Sequence, residues 1–166
     1  MEQIYVAGLD DKARENSIKL LNERLTDSID LSLAVKQAHW TIRGPSFIGL
    51  HELLDAIAER MRDRTDMIAE RAIILGGHTP GTVQAVDKGS KLEPYPADIK
   101  SQKDHVEALT SRFVAFGKHL RESIEKAEDA GDVDTSDLFT EVSRGIDKDA
   151  WFLGAHYDEA NAKTKS

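Results

Sequence analysis

Apolar residues recur at spacings of three and four along most of the chain, and four long stretches carry that period. From about Asp11 to Thr41, Ile18, Leu21, Leu25 and Ile29 share one face, with no Gly or Pro to interrupt them. Gly44–Pro45 breaks this first helix, and Ser46 is placed to cap the next. The second predicted helix runs from about Ser46 to Leu75. Its stripe is Phe47, Leu50, Leu54, Ile57, Met61 and Ile68, and Gly76–Gly77 is its stop. Residues 78–96 hold three of the four prolines and form a connection longer than most loops, with a short helix expected around Val83–Val86. A third helix is predicted from Pro96 or Ala97, where Pro suits the first helical position and Asp98 an acidic first turn. Its stripe (Ile99, Val106, Leu109, Phe113, Phe116, Leu120, Ile124) reaches an acidic segment around Gly131. The fourth begins near Thr135 or Ser136 and uses Leu138, Val142, Ile146, Trp151, Phe152 and Leu153. No stretch alternates as a strand would.

Four long helices with one long crossover, between helices two and three, predict an all-α, ferritin-like four-helix bundle. Residues 1–10 are expected to be a flexible N-terminal arm, 11–160 the bundle and 161–166 a short tail. A chain of 166 residues is long enough for one domain with a sizeable core. The absence of Cys excludes disulfides, iron–sulfur clusters, thiolate zinc sites and thiol nucleophiles. No apolar run resembles a signal peptide or approaches a membrane span, so the expected location is the cytoplasm, with the nucleoid as an associated site. A net charge of −8 argues against a strongly nucleic-acid-binding body and suits attraction of cations.

The candidate chemistry lies between His39 and Glu70. His51–Asp55 and Asp66–Glu70 are each spaced i, i+4 on the second helix, and counted from His51 the four residues lie at roughly 0°, 40°, 60° and 100°. They share a face. Along the axis, however, Asp55 and Asp66 stand ~16 Å apart, too far to ligate one ion. Two copies of this helix packed antiparallel across a two-fold axis would bring the His51–Asp55 end of one against the Asp66–Glu70 end of the other. His39, near the end of helix one, sits a similar distance from the reversing turn as His51 and joins the same cluster. The competing reading is a solvated helix face that happens to carry these residues. No Glu is followed three residues later by His, and no H-E-x-x-H occurs, so an ordinary intrachain di-iron or zincin site is not expected.

The segments KQAHW, RGPSFIGLHELLD and DMIAERAIILGG resemble the Dps (DNA-binding protein from starved cells) family of mini-ferritins. The likeness extends through PYPADI and SRGIDKDAWFL, nearly the whole chain. It implies a ferroxidase with iron ligands His39, His51 and Asp55 from one subunit and Asp66 and Glu70 from its two-fold mate. It also implies up to two iron ions per site, Fe(II) and hydrogen peroxide as substrates, and a homododecameric shell storing ferric mineral. Trp40 resembles the family's tryptophan beside the centre, where an oxidisable ring can intercept radicals; the plainer reading is a core aromatic at a helix end. The acidic run Glu128, Asp129, Asp132, Asp134, Asp137, Glu141 and Asp147 is open between a pore lining and a solvated helix junction. His78, His105, His119 and His156 read as surface or satisfied helix histidines.

Direct DNA binding is doubtful on tail charge. The arm has no basic side chain before Lys12, and Lys163 and Lys165 are offset by Asp158 and Glu159. The alternative function is a DNA-compacting protein whose iron site is secondary.

Overall fold

The computed structural model describes residues 4–162, the last six in backbone only, and the lysines expected at the tail, Lys163 and Lys165, lie outside the described residues. Among the described residues five helices form: α1 (Asp11–Thr41), α2 (Phe47–Ile74), α3 (Val83–Gly89), α4 (Gln102–Asp129) and α5 (Val133–Ala162). Asp10 starts α1, its carboxylate accepting from the Lys12 and Ala13 amides. At the end of α2 the Gly76 amide donates to Ile73 O and the Gly77 amide to Ala72 O. Gly76 has a φ of 81°, so this is a Schellman stop at the predicted place. The same motif closes α4 through Gly131, whose φ is 87°.

α1 packs on α2 and α4 on α5, giving two helical hairpins joined by the crossover that carries α3. α1 also touches α4, and α2 touches α5, which closes a four-helix bundle. Phe113, Phe116, Phe139, Leu21, Leu25, Leu31, Leu50, Leu54, Ile57, Met61 and Ile68 are fully buried at its centre. Among the described residues no helix is long and apolar enough to cross a membrane.

Several sequence expectations are corrected. α4 begins at Gln102, not at Pro96 or Ala97. Ser101 caps it through the Asp104 amide, and the backbone before it pairs with the α1–α2 turn, Gln102 N–H donating to Arg43 O. Ile99 therefore precedes the helix. α5 starts at Val133 because Asp132 serves as its cap, bonding the Thr135 amide and hydroxyl. The Ser46 side chain makes no capping bond; its amide donates instead to Gln102 Oε1. Phe47 and Trp151, expected in the core, are exposed. Within the predicted arm, the Tyr5 amide donates to Ile74 O, and Val6 and Leu9 pack against the core.

Candidate metal centre

His39 lies in the last turn of α1 and His51 in the second turn of α2, on either side of the Gly44–Pro45 turn. Their rings stack, centroids 3.7 Å apart. His39 Nδ1 lies 2.9 Å from the His51 carbonyl oxygen, and His51 Nδ1 lies 2.9 Å from the His39 carbonyl oxygen. A carbonyl oxygen only accepts, so each Nδ1 carries the proton and donates it. In the neutral rings both Nε2 atoms then keep a free lone pair. That is the tautomer a metal-ligating histidine needs, fixed by backbone partners before any ligand arrives.

Asp55 stands one turn beyond His51, with Oδ1 4.0 Å from His39 Nε2. Its carboxylate is more than half exposed and holds the Lys36 ammonium at 2.7 Å. This hydrogen bond and the lysine's charge hold the Asp55 carboxyl below its usual value, with the two histidines adding to the effect. A cation thus already sits against the carboxylate. The donor set of two imidazole nitrogens and a carboxylate suits a borderline-to-hard divalent metal such as iron, zinc or manganese. No ligand-type spacing marks Lys36 in the sequence, although its place three residues before His39 puts it on the same helix face.

Asp66 and Glu70 lie on the same exposed side of α2 but farther along it. Asp66 is on the rim of a groove between α1 and α2, together with Ile29, Ser32, Leu33, Arg62 and Thr65. Among the described residues of one chain, no group of three or more histidines and carboxylates is close enough to hold a metal ion. Trp40 is 69% exposed, which removes the core-aromatic reading. Its ring centroid is 5.9 Å from Lys36 Nζ. Leu33 and Ile48, on α1 and α2, are also exposed.

A ferritin-like domain model matches residues 18–162. A DNA protection during starvation protein of Agrobacterium fabrum is 44% identical over 151 residues, 91% of this chain and 93% of that protein. This chain belongs to the Dps family. Mycobacterium smegmatis Dps, in a tetragonal form, superposes with a TM-score of 0.88 at 34% identity, covering 94% of each chain. Dps from Microbacterium arborescens, in a high iron form, gives 0.83 at 31%, covering 90% of this chain and 98% of that one.

Within this Dps chain, the other candidates separate. Asp132 of the acidic run is buried, capping α5 and accepting from Arg71 Nη2 at 3.0 Å. Asp147 is paired with Arg121. Glu128, Asp129, Asp134, Asp137 and Glu141 are exposed. His105 and His119 are satisfied helix histidines, as expected. His119 Nδ1 donates to buried Asp27 Oδ2 at 3.0 Å, a pairing across 92 residues that no local spacing could reveal. His78 is exposed and His156 half-buried.

Proposed function

We propose that this Dps chain is a ferroxidase and iron store. In this reading it oxidises Fe(II), preferentially with hydrogen peroxide. The ligands are His39, His51 and Asp55 of one subunit with Asp66 and Glu70 of its two-fold mate. The ferric product is kept in a dodecameric shell, and DNA is protected by removal of both reactants. The supporting observation is the reciprocal His39–His51 bonding, which leaves two free Nε2 lone pairs beside an ionised carboxylate with a cation docked on it. Peroxide needs two electrons to cleave its O–O bond, and two Fe(II) held together supply one each, so no hydroxyl radical need be released. Carboxylates from the mate would reduce repulsion between the two ions and favour the ferric state.

The shared site finds support in the outer face of α1 and α2. Leu33, Trp40, Phe47 and Ile48 leave apolar surface there, next to the ligands, as an isologous interface would use. A cytoplasmic location fits the same reading. The test is peroxide-driven iron oxidation by wild type and by His51→Ala/Asp55→Ala. The double variant is expected to oxidise Fe(II) no faster than the uncatalysed background while still assembling. Wild-type rates in the assembled variant refute the site, and a stable active monomer refutes its sharing between chains.

A further inference from the structure

At the same end of the bundle lies a second pair of side chains that the proposed iron site does not use. Tyr95, half-buried in the crossover, places its hydroxyl 2.5 Å from Nδ1 of His105 on α4, which is buried. His105 Nε2 lies 3.3 Å from Thr41 Oγ1, at the last residue of α1. The Thr41 hydroxyl spends its proton on Gln37 O at 2.7 Å, so its oxygen accepts from His105 Nε2–H. With the ring proton on Nε2, Nδ1 is bare, and the Tyr95 hydroxyl donates to it. The pair is therefore a phenol aimed at an unprotonated base. Burial pushes the Tyr95 phenol well above its usual range, against the pull of Arg112, so it remains a phenol. Burial likewise lowers the His105 imidazole, outweighing Asp104 and the Ile99 carbonyl, so it is neutral and able to accept.

Arg112 constrains what this phenol can do. Its guanidinium lies 5.1 Å from the Tyr95 ring centroid and is pinned to the crossover through Glu93 O and Pro94 O. A positive charge over the ring opposes loss of an electron alone, since that would leave a radical cation facing a cation. Loss of the electron together with the proton leaves a neutral phenoxyl. His105 is the group in position to take that proton.

We propose that Tyr95 and His105 form a redox site that quenches one-electron oxidants of the hydroxyl-radical class. The Tyr95 O–H bond breaks, the electron reduces the oxidant to hydroxide, and the proton moves to His105 Nδ1. The resulting phenoxyl and imidazolium return to phenol and imidazole when a second Fe(II) supplies one electron and becomes Fe(III). Thr41 links this pair to the neighbouring exposed Trp40 and to His39 on the same turn of α1. Iron as the source of the oxidant rests on the ferroxidase reading; the oxidisable pair does not.

The test uses full-length, iron-free protein carrying Y5F and Y157F, so that Tyr95 is the remaining tyrosine. A photogenerated ruthenium(III) tris-bipyridine oxidant is applied and the sample freeze-quenched for electron paramagnetic resonance. A phenoxyl signal is expected, absent in Y95F. In H105Q, which keeps an acceptor but no base, its formation should slow at least ~100-fold, the scale of a positioned proton acceptor. Where H105Q does not match the parent's melting temperature, slowing in D2O on the parent replaces it as the criterion. No Tyr95 phenoxyl, or formation indifferent to the loss of the base or to deuterium, overturns the proposal; a merely structural Tyr–His bond predicts that indifference. A second arm adds substoichiometric Fe(II) and peroxide. A phenoxyl in the first arm with none in the second sustains the pair and counts against iron chemistry as the source of its oxidant.

Discussion

Asp149→Asn tests how α2 is held in the rotation that presents Asp55 and Asp66. Asp149 of α5 is fully buried, and both of its oxygens are used. Arg60 reaches Oδ1 with Nη2 at 2.6 Å and Nε at 3.1 Å, and Arg64 reaches Oδ2 with Nη1 at 2.6 Å. Both arginines lie on α2 between Asp55 and Asp66. Replacing the carboxylate by an amide leaves two guanidinium groups converging on a neutral side chain that also turns an N–H₂ toward them. Breaking a buried ion pair from one side costs ~3–5 kcal/mol. The Arg60 side chain is 37% exposed and can turn to water, so the low end, about 3 kcal/mol, is the expected loss. For a chain of this size that corresponds to a fall in melting temperature of roughly 6–12 °C. Urea unfolding of wild type and variant at one fixed protein concentration measures it, since the assembly proposed above would couple to stability. Fe(II) oxidation at a temperature where both are folded should also fall. A loss under about 1 kcal/mol would refute the argument, because an exposed pair gives that much.

Lys36→Gln removes the cation docked on Asp55, so Zn(II) or Fe(II) should bind roughly two- to fivefold tighter by calorimetry, the scale of an exposed ion pair. Unchanged or weaker binding would show that the ammonium does not compete for that carboxylate. Asp132→Asn should change the acid limb of stability. Burial pushes the Asp132 carboxyl up, but the bonds from the Thr135 amide and hydroxyl and the charge of Arg71 outweigh it and hold the group below its usual value. Its contribution is therefore complete above the ordinary carboxylate value of about 4 and lost as pH falls through the lower folded value. The stability gap between wild type and variant, about 1–3 kcal/mol at neutral pH, should close below pH ~4; a gap constant with pH refutes the assignment. Electrophoretic mobility shifts should show weak DNA binding at physiological salt that strengthens as salt is lowered, and tight binding at physiological salt would contradict the charge argument.

The helices could be read from the chain where an end is dictated locally. Asp10 beside two free amides, Gly44–Pro45, and the glycines at positions 76 and 131 set their boundaries with neighbours a few residues away. The start of α4 is not local in this sense: Pro96 satisfies the rule for a first helical residue, whereas the true start depends on Arg43, 59 positions upstream in the fold's other hairpin. Periodicity also could not tell which apolar residues the chain itself covers. Phe47 and Trp151 fit their stripes yet face outward, since a pattern marks an apolar face without naming what packs on it. At the site, the i, i+4 pairs were legible from helix geometry alone. The Lys36–Asp55 contact and the Tyr95–His105–Thr41 chain depend on side chains meeting across different elements, and no single-helix spacing encodes that.

The reciprocal histidine bonds also answer a structural need, which bears on how the chemistry can be altered. The His39 carbonyl lies in the last turn of α1, just past the final helical bond from the Ile42 amide to Ala38 O, and lacks a donor from a following turn. His51 Nδ1–H supplies that donor from α2, and His39 Nδ1–H returns a bond to the His51 carbonyl. Each ring thereby stitches one helix to the other while its Nε2 remains free. Replacing either histidine removes two things at once, a potential ligand and half of the stitch; loss of the His51 ring also leaves the His39 carbonyl without its donor, whereas the His51 carbonyl lies within α2 and keeps the helix's own bond. A substitution that keeps the Nδ1-type donor but lacks Nε2, such as His51→Asn, should separate the two effects. It should retain more of the wild-type stability than His51→Ala while losing metal affinity to the same extent. Equal stability of the two variants would mean that the stitch contributes nothing to the hairpin, and the histidines' fixed tautomer would then need another cause.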